Sequence, residues 1–206
     1  MQPRRRAGGA RARAAREQQD HPAGGGVRRA GAPRAPDRGE AVTLAEAAVQ
    51  ADELAQRGAE RELAQLRAEW DDELEAAARS ADFRERAAAY RAVGQFRYRQ
   101  KLELLRRGLE DESPACRGSA LVSLELLSRE HPGVVNAVRP TLHELAARDP
   151  NQAVRRLAVV ALRNGSPQRD TILILRGLAE SDEEEQELRA VAARTAAALK
   201  KRAGPR

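Results

Sequence analysis

The sequence predicts an all-α protein: a short α-α superhelical solenoid of three repeated helix pairs, with a degenerate fourth unit ahead of them, preceded by a long helix and a disordered N-terminal tail. Three observations carry this. A pattern of Leu pair, Asp, Arg and Ala occurs three times, as Leu105/Leu109-Asp111-Arg117-Ala120, Leu142/Leu145-Asp149-Arg155-Ala158 and Leu175/Leu178-Asp182-Arg189-Ala192. Its arginines recur at intervals of 38 and 34 residues, a period that belongs to stacked helical repeats. Apolar residues return at spacings of three and four throughout the body, and no stretch reads as a strand.

Residues 1–40 are rich in Arg, Ala, Gly and Pro, and Val27 is their only large aliphatic apart from Met1. Such a segment cannot bury enough surface to offset its ordering entropy, so a solvated tail is expected. Arg4-Arg5-Arg6 has no apolar run behind it, which argues against a secretory signal. Residues 41–79 read as one long helix or two in series. Thr43 and Glu46 form a capping-box pair. Leu44, Ala48, Ala51 and Leu54 make one stripe, Leu63, Leu66, Trp70, Leu74 and Ala77 another, and Gly58 stands between them. This segment is expected to cover the exposed end of the repeats; a coiled-coil arm forming a homodimer through 43–79 is the competing reading.

The repeat domain is placed at 80–203. Asp82 with Glu85 suits a helix start, and Gly94 an interruption. Arg84 lies 33 residues before Arg117, which suggests a degenerate first unit over 80–98. Helix pairs follow at about 100–111 with 114–130, 134–148 with 151–163, and 168–180 with 183–201. Pro132-Gly133, Asp149-Pro150-Asn151 and Asn164-Gly165-Ser166-Pro167 separate them.

Charge divides the chain. Residues 1–40 hold ten Arg against four acids, whereas 41–199 hold 23 bases against 27 acids, so the excess of +6 resides in the tails. That is weaker support for nucleic-acid binding than a basic folded face would be. Only three of the 37 bases are Lys, a bias that a GC-rich genome produces as readily as phosphate recognition does. Cys116 is the sole cysteine, so neither an intrachain disulfide nor a thiolate metal site can form. No apolar run approaches the ~20 residues of a membrane span. A cytoplasmic protein without a cofactor is expected.

In the stretch from Asp149 through Val154-Arg155 and Ala158 to Leu162, and in its counterparts around Asp111/Arg117 and Asp182/Arg189, the sequence resembles HEAT repeats, over about half of its length. The resemblance implies that first helices line the convex side and second helices the concave side. It also implies that Asp111, Arg117, Asp149, Arg155, Asp182 and Arg189 form a structural ladder between units and carry no chemistry. The third copy departs by one extra residue, and the first has Cys116 where the family prefers Val.

The candidate sites are few. Glu125, Arg156 and Arg163 fall on second helices away from the buried stripe, and they are the expected contacts for a protein partner. Arg97, Arg99 and Lys101 interleave with Phe96 and Tyr98, a mixture suited to stacking bases and holding phosphates. Cys116 occupies the position of Val154 and Leu188 and reads as a small buried hydrophobe. Five carboxylates crowd Asp182 to Glu187, but at a helix start and without the glycine-punctuated spacing of a calcium loop, so no metal site is assigned. His21, His131 and His143 stand far apart, and no catalytic constellation is found. The expected function is a non-catalytic protein-interaction scaffold or adaptor. Nucleic-acid binding through the basic tail and the Arg/aromatic region 84–107 is the alternative, with the tail alone expected to bind nucleic acid or other polyanions weakly. The architecture resembles DNA-alkylation-repeat glycosylases, but the only Trp is Trp70, outside the repeats. An accessory subunit, or a lyase of the HEAT-like kind that attaches pigments, is a further alternative.

Overall fold

A computed structural model of the protein describes residues 42–204; the tail expectations for 1–40 lie outside them. The described residues form ten α-helices and one 3-10 turn, with no strand among them. None of these helices is long and apolar enough to cross a membrane.

Helix α1 (Leu44–Gln56) starts at Thr43, whose hydroxyl accepts the Glu46 N–H while the Glu46 carboxylate accepts the Thr43 N–H at 2.8 Å. Gly58, at φ +68°, turns the chain, a backbone state open to glycine without penalty. The segment is therefore two helices, and α2 (Glu60–Ala77) folds back on α1. Both pack on α3 (Phe83–Gln95), whose start Asp82 caps through the Arg84 N–H. Leu44, Leu54, Leu63, Leu66, Trp70 and Leu74 are all buried within the chain. The stripes that a coiled-coil arm would offer to a second copy are thus already used.

After a turn at Arg99–Lys101 come α4 (Leu102–Leu109), α5 (Pro114–Ser128), α6 (Gly133–Ala137), α7 (Arg139–Arg148), α8 (Gln152–Leu162), α9 (Arg169–Glu180) and α10 (Gln186–Ala203). Helices pair as α4 with α5, α7 with α8 and α9 with α10, and the second members pack in series, α3 on α5, α5 on α8, α8 on α10. Each second helix places one buried alanine three residues after its conserved-spacing arginine: Ala89, Ala120, Ala158 and Ala192. Small side chains there let the axes approach while leucines such as Leu105, Leu124, Leu142, Leu162 and Leu175 fill the rest of the core. Each such leucine contributes ~1.5–3 kcal/mol of burial energy.

Three local expectations change. The helix expected over 134–148 is two, because Pro140 has no N–H to continue the ladder from Asn136. Helix α10 begins at Gln186, not 183, since Ser181–Glu185 is a turn that absorbs the extra residue of this copy. Gly94 does not interrupt α3. It lies inside the helix, where the Ser123 hydroxyl of α5 accepts its N–H at 3.1 Å and donates to the Tyr90 carbonyl at 2.6 Å.

Candidate interaction groove

One side chain recurs at the fourth residue after each second-helix cap. Counting from Asp82, Ser113, Asn151 and Glu185 reaches Arg86, Arg117, Arg155 and Arg189. Arg86 bonds Asp111 with two N–H groups, at 2.8 and 2.9 Å. Arg117 bonds Asp149 in the same fork, at 2.7 and 3.0 Å. Arg155 reaches Glu184. Each arginine also donates to carbonyls before its own helix: Arg86 to Ser80 and Ala81, Arg117 to Asp111 and Glu112, Arg155 to Ala146. Asp111 and Asp149 in turn accept the N–H groups of Ser113 and Asn151. Every such rung therefore ties the turn of one helix pair to the turn of the next.

One expected ladder position is corrected, and so is the arginine whose spacing suggested the first unit. Glu184, not Asp182, faces Arg155, because the longer turn carries Asp182 past the junction. Asp182 is 94% exposed and meets only Arg189 of its own pair, at 3.2 Å. The first unit uses Arg86 rather than Arg84. The two-residue difference follows from the cap at Asp82, and counting from caps rather than from the repeat period locates it. Arg86 first, then the Ser113 N–H, hold the Asp111 carboxyl below its ordinary range.

With the rungs on one edge, the side of the second helices away from the first helices is left open. Between α8 and α10 lies a hollow of about 240 Å³ lined by Val160, Arg163, Val191, Arg194, Thr195 and Ala198. Leu157, Val122 and Leu126 extend its half-buried apolar floor toward α5, and Gly118 leaves room beside Leu157, whose methyl lies 3.6 Å from where a Cβ would stand. At the other end, a hollow of about 710 Å³ is bordered by Val42, Ala76 and Ala88 with Glu73 and Glu85. Ala88 has the repeat position of Leu157 and Val191, so one border of this hollow shares their face, whereas Glu85 has the position of the buried Cys116, Val154 and Leu188.

Of the three expected partner contacts, Arg163 lines this groove. Arg156 is drawn instead to Glu185 and Glu187, at 3.2 Å each. Glu125 is bonded one turn on to Arg129, at 2.9 Å. Arg194, Val160 and Val191 were not foreseen; the repeat positions two and five residues after each rung arginine, which hold Leu157 and Val191 and then Val122, Val160 and Arg194, were the signal that could have found them.

The basic aromatic joint is built differently from a nucleic-acid surface. Arg97, at φ +51°, closes α3 and pairs with Asp52 at 3.0 Å. Lys101 pairs with Asp71 and Glu75, and the Tyr98 hydroxyl donates to Asp71 at 2.6 Å. Lys101, then Tyr98, hold the Asp71 carboxyl below its ordinary range. Phe96 is buried, and of the three cations only Arg99 is exposed and without an ion pair among the described residues. The joint thus fastens α2 to α3.

Two buried polar features complete the picture. The Cys116 thiol donates to the Phe83 carbonyl at 3.2 Å, and burial pushes its pKa up. Arg139 is buried and has no carboxylate partner among the described residues; it is bonded to Thr171, Asn136 and Ser166. His143 shares Thr171 at 2.9 Å, and burial, then the Arg139 charge, lowers its pKa. Among the described residues, no group of three His, Cys, Asp or Glu side chains is arranged to hold a metal ion. Neither protein-family models nor curated protein sequences match the chain.

Proposed function

We propose that the protein is a HEAT-like α-solenoid that acts as a protein-interaction scaffold, holding an amphipathic partner segment along the face of its second helices. The observation that carries this reading is the rung repeated at three successive junctions, from Arg86, Arg117 and Arg155. It stacks the units in one register and leaves the opposite face, with Val122, Leu157, Val160 and Val191, apolar and open. A helix laid in such a groove is read by anchors at three- and four-residue spacing. Arg163 and Arg194 beside the α8–α10 hollow favour a segment whose acidic end lies over α8 and α10. The ion pairs of Arg97 and Lys101 make duplex or single-strand binding by the body the weaker reading.

The test is cross-linking capture with the full chain beside a Val160→Glu, Arg163→Glu, Arg194→Glu variant of matched circular dichroism. The expected result is a protein retained by the wild type and lost by the variant. Equal capture by both would remove the groove from the function.

A further inference from the structure

The packed series of helices ends in two unlike faces, and their chemistry is complementary. At the last junction the rung is open. The side chains of Arg86, Arg117 and Arg155 are 9–12% exposed against the acid of the following unit, whereas Arg189 is 38% exposed and, among the described residues, has only Asp182 of its own turn and the Ala179 carbonyl. On the same helix pair, toward the other end of α10, Leu173 is 52% exposed, at the edge of a hollow of about 440 Å³ formed by Pro167, Arg169, Ile172, Lys200 and Ala203. From Gln186 to Gly204 there are five bases and one acid. Arg202 bonds the end of α8 through the Arg163 and Gly165 carbonyls. By helical periodicity Arg189 and Lys200 therefore stand on the side of α10 turned away from α8.

At the first helix the signs reverse. From Val42 to Arg79 there are ten carboxylates and four arginines. The outer side of α1, opposite the buried Leu44, Ala47, Ala51 and Leu54, carries Glu46, Val49 and Glu53, and Val49 is 54% exposed. An apolar residue between two acids on the first helix faces the same need as an apolar residue between two bases on the last pair.

We infer that the α1 face of one copy docks on the α9–α10 face of another, with Glu46 or Glu53 supplying to Arg189 the carboxylate that every earlier rung arginine finds in its own chain. The contact is head-to-tail, so each copy keeps one free face and the assembly grows by addition. It uses none of the groove residues, so it stands or falls apart from the scaffold reading.

The experiment is sedimentation velocity of the full chain to about 0.1 mM, the range in which contacts of modest affinity populate, at low and high salt. The wild type is expected to sediment faster with concentration and to lose this at high salt, because exposed charges are screened. Val49→Lys and Leu173→Glu, both at exposed positions, should each weaken self-association by about tenfold or more with unchanged circular dichroism. Mixing the two variants should restore association as far as a 1:1 dimer, since each retains the face the other lacks. A wild type that stays monomeric throughout overturns the inference. So does a Val49→Lys chain that associates as the wild type does, or a mixture that remains monomeric.

Discussion

Arg117 and Asp149 show what a single rung contributes. Their side chains are 11% and 2% exposed, so neither charge has water to fall back on. Breaking such a pair from one side strands a buried charge and costs ~3–5 kcal/mol. Arg117→Ala should therefore lower the urea midpoint sharply with little change in slope. Arg189 occupies the same repeat position but is half-exposed against a solvated acid, and Arg189→Ala should cost no more than about 0.5 kcal/mol. Equal losses in the two variants would show that the arginine acts through its own helix and not through the junction. Asp111 adds a pH dependence. Its folded pKa lies below the ordinary 3.8, chiefly through Arg86. The stability it contributes is present above that ordinary value and is lost as pH falls through the folded one. Asp111→Asn should be less stable than the wild type at neutral pH, and the gap should narrow in urea titrations as pH falls below the ordinary 3.8.

Helices, their order and most of their ends were legible because the signals are local. Thr43, Asp82, Pro114 and Asn151 start helices at the positions their chemistry suits. What required the structure was whatever depends on a neighbouring element. Glu184 replaces Asp182 because the length of a turn decides which carboxylate reaches the junction. Of the groove, only Arg163 was foreseen, since whether Arg156 or Glu125 is free depends on Glu185, Glu187 and Arg129 around them. Gly94 was misread for the same reason: its role is set by α5. A Cβ there would lie 2.6 Å from the Ser123 hydroxyl and 2.7 Å from the Ser123 Cα. The second of these is backbone and cannot swing aside. Gly94→Ala must then push α3 and α5 apart, and although alanine is the better helix former, the net effect should be a loss of ~1–3 kcal/mol. A thermal melt equal to or above that of the wild type would mean that the two helices do not cross so closely.

On the scale of the whole chain, the open question is whether α1 and α2 belong to the same cooperative unit as the repeats. Arg67 of α2 donates to the Phe96 and Arg97 carbonyls at the end of α3, Asp71 accepts from Tyr98 and Lys101, α2 packs on α3, and Leu63, Leu66 and Leu74 of α2 are buried, as are Ala92, Val93 and Phe96. Separating the two parts would expose several leucines, each worth ~1.5–3 kcal/mol, together with unpaired acids and bases at the joint. Partial unfolding at this joint is therefore costlier than its position near one end suggests. Trp70, the only tryptophan, is buried in α2, so its fluorescence reports α2 while far-UV circular dichroism reports the helices as a whole. The two unfolding transitions in urea should coincide, as they do when a domain melts as one unit. They should also keep the same midpoint as protein concentration is varied at high salt. An earlier tryptophan transition, or one that moves with concentration, would make α1 and α2 a separate arm held by contacts between chains.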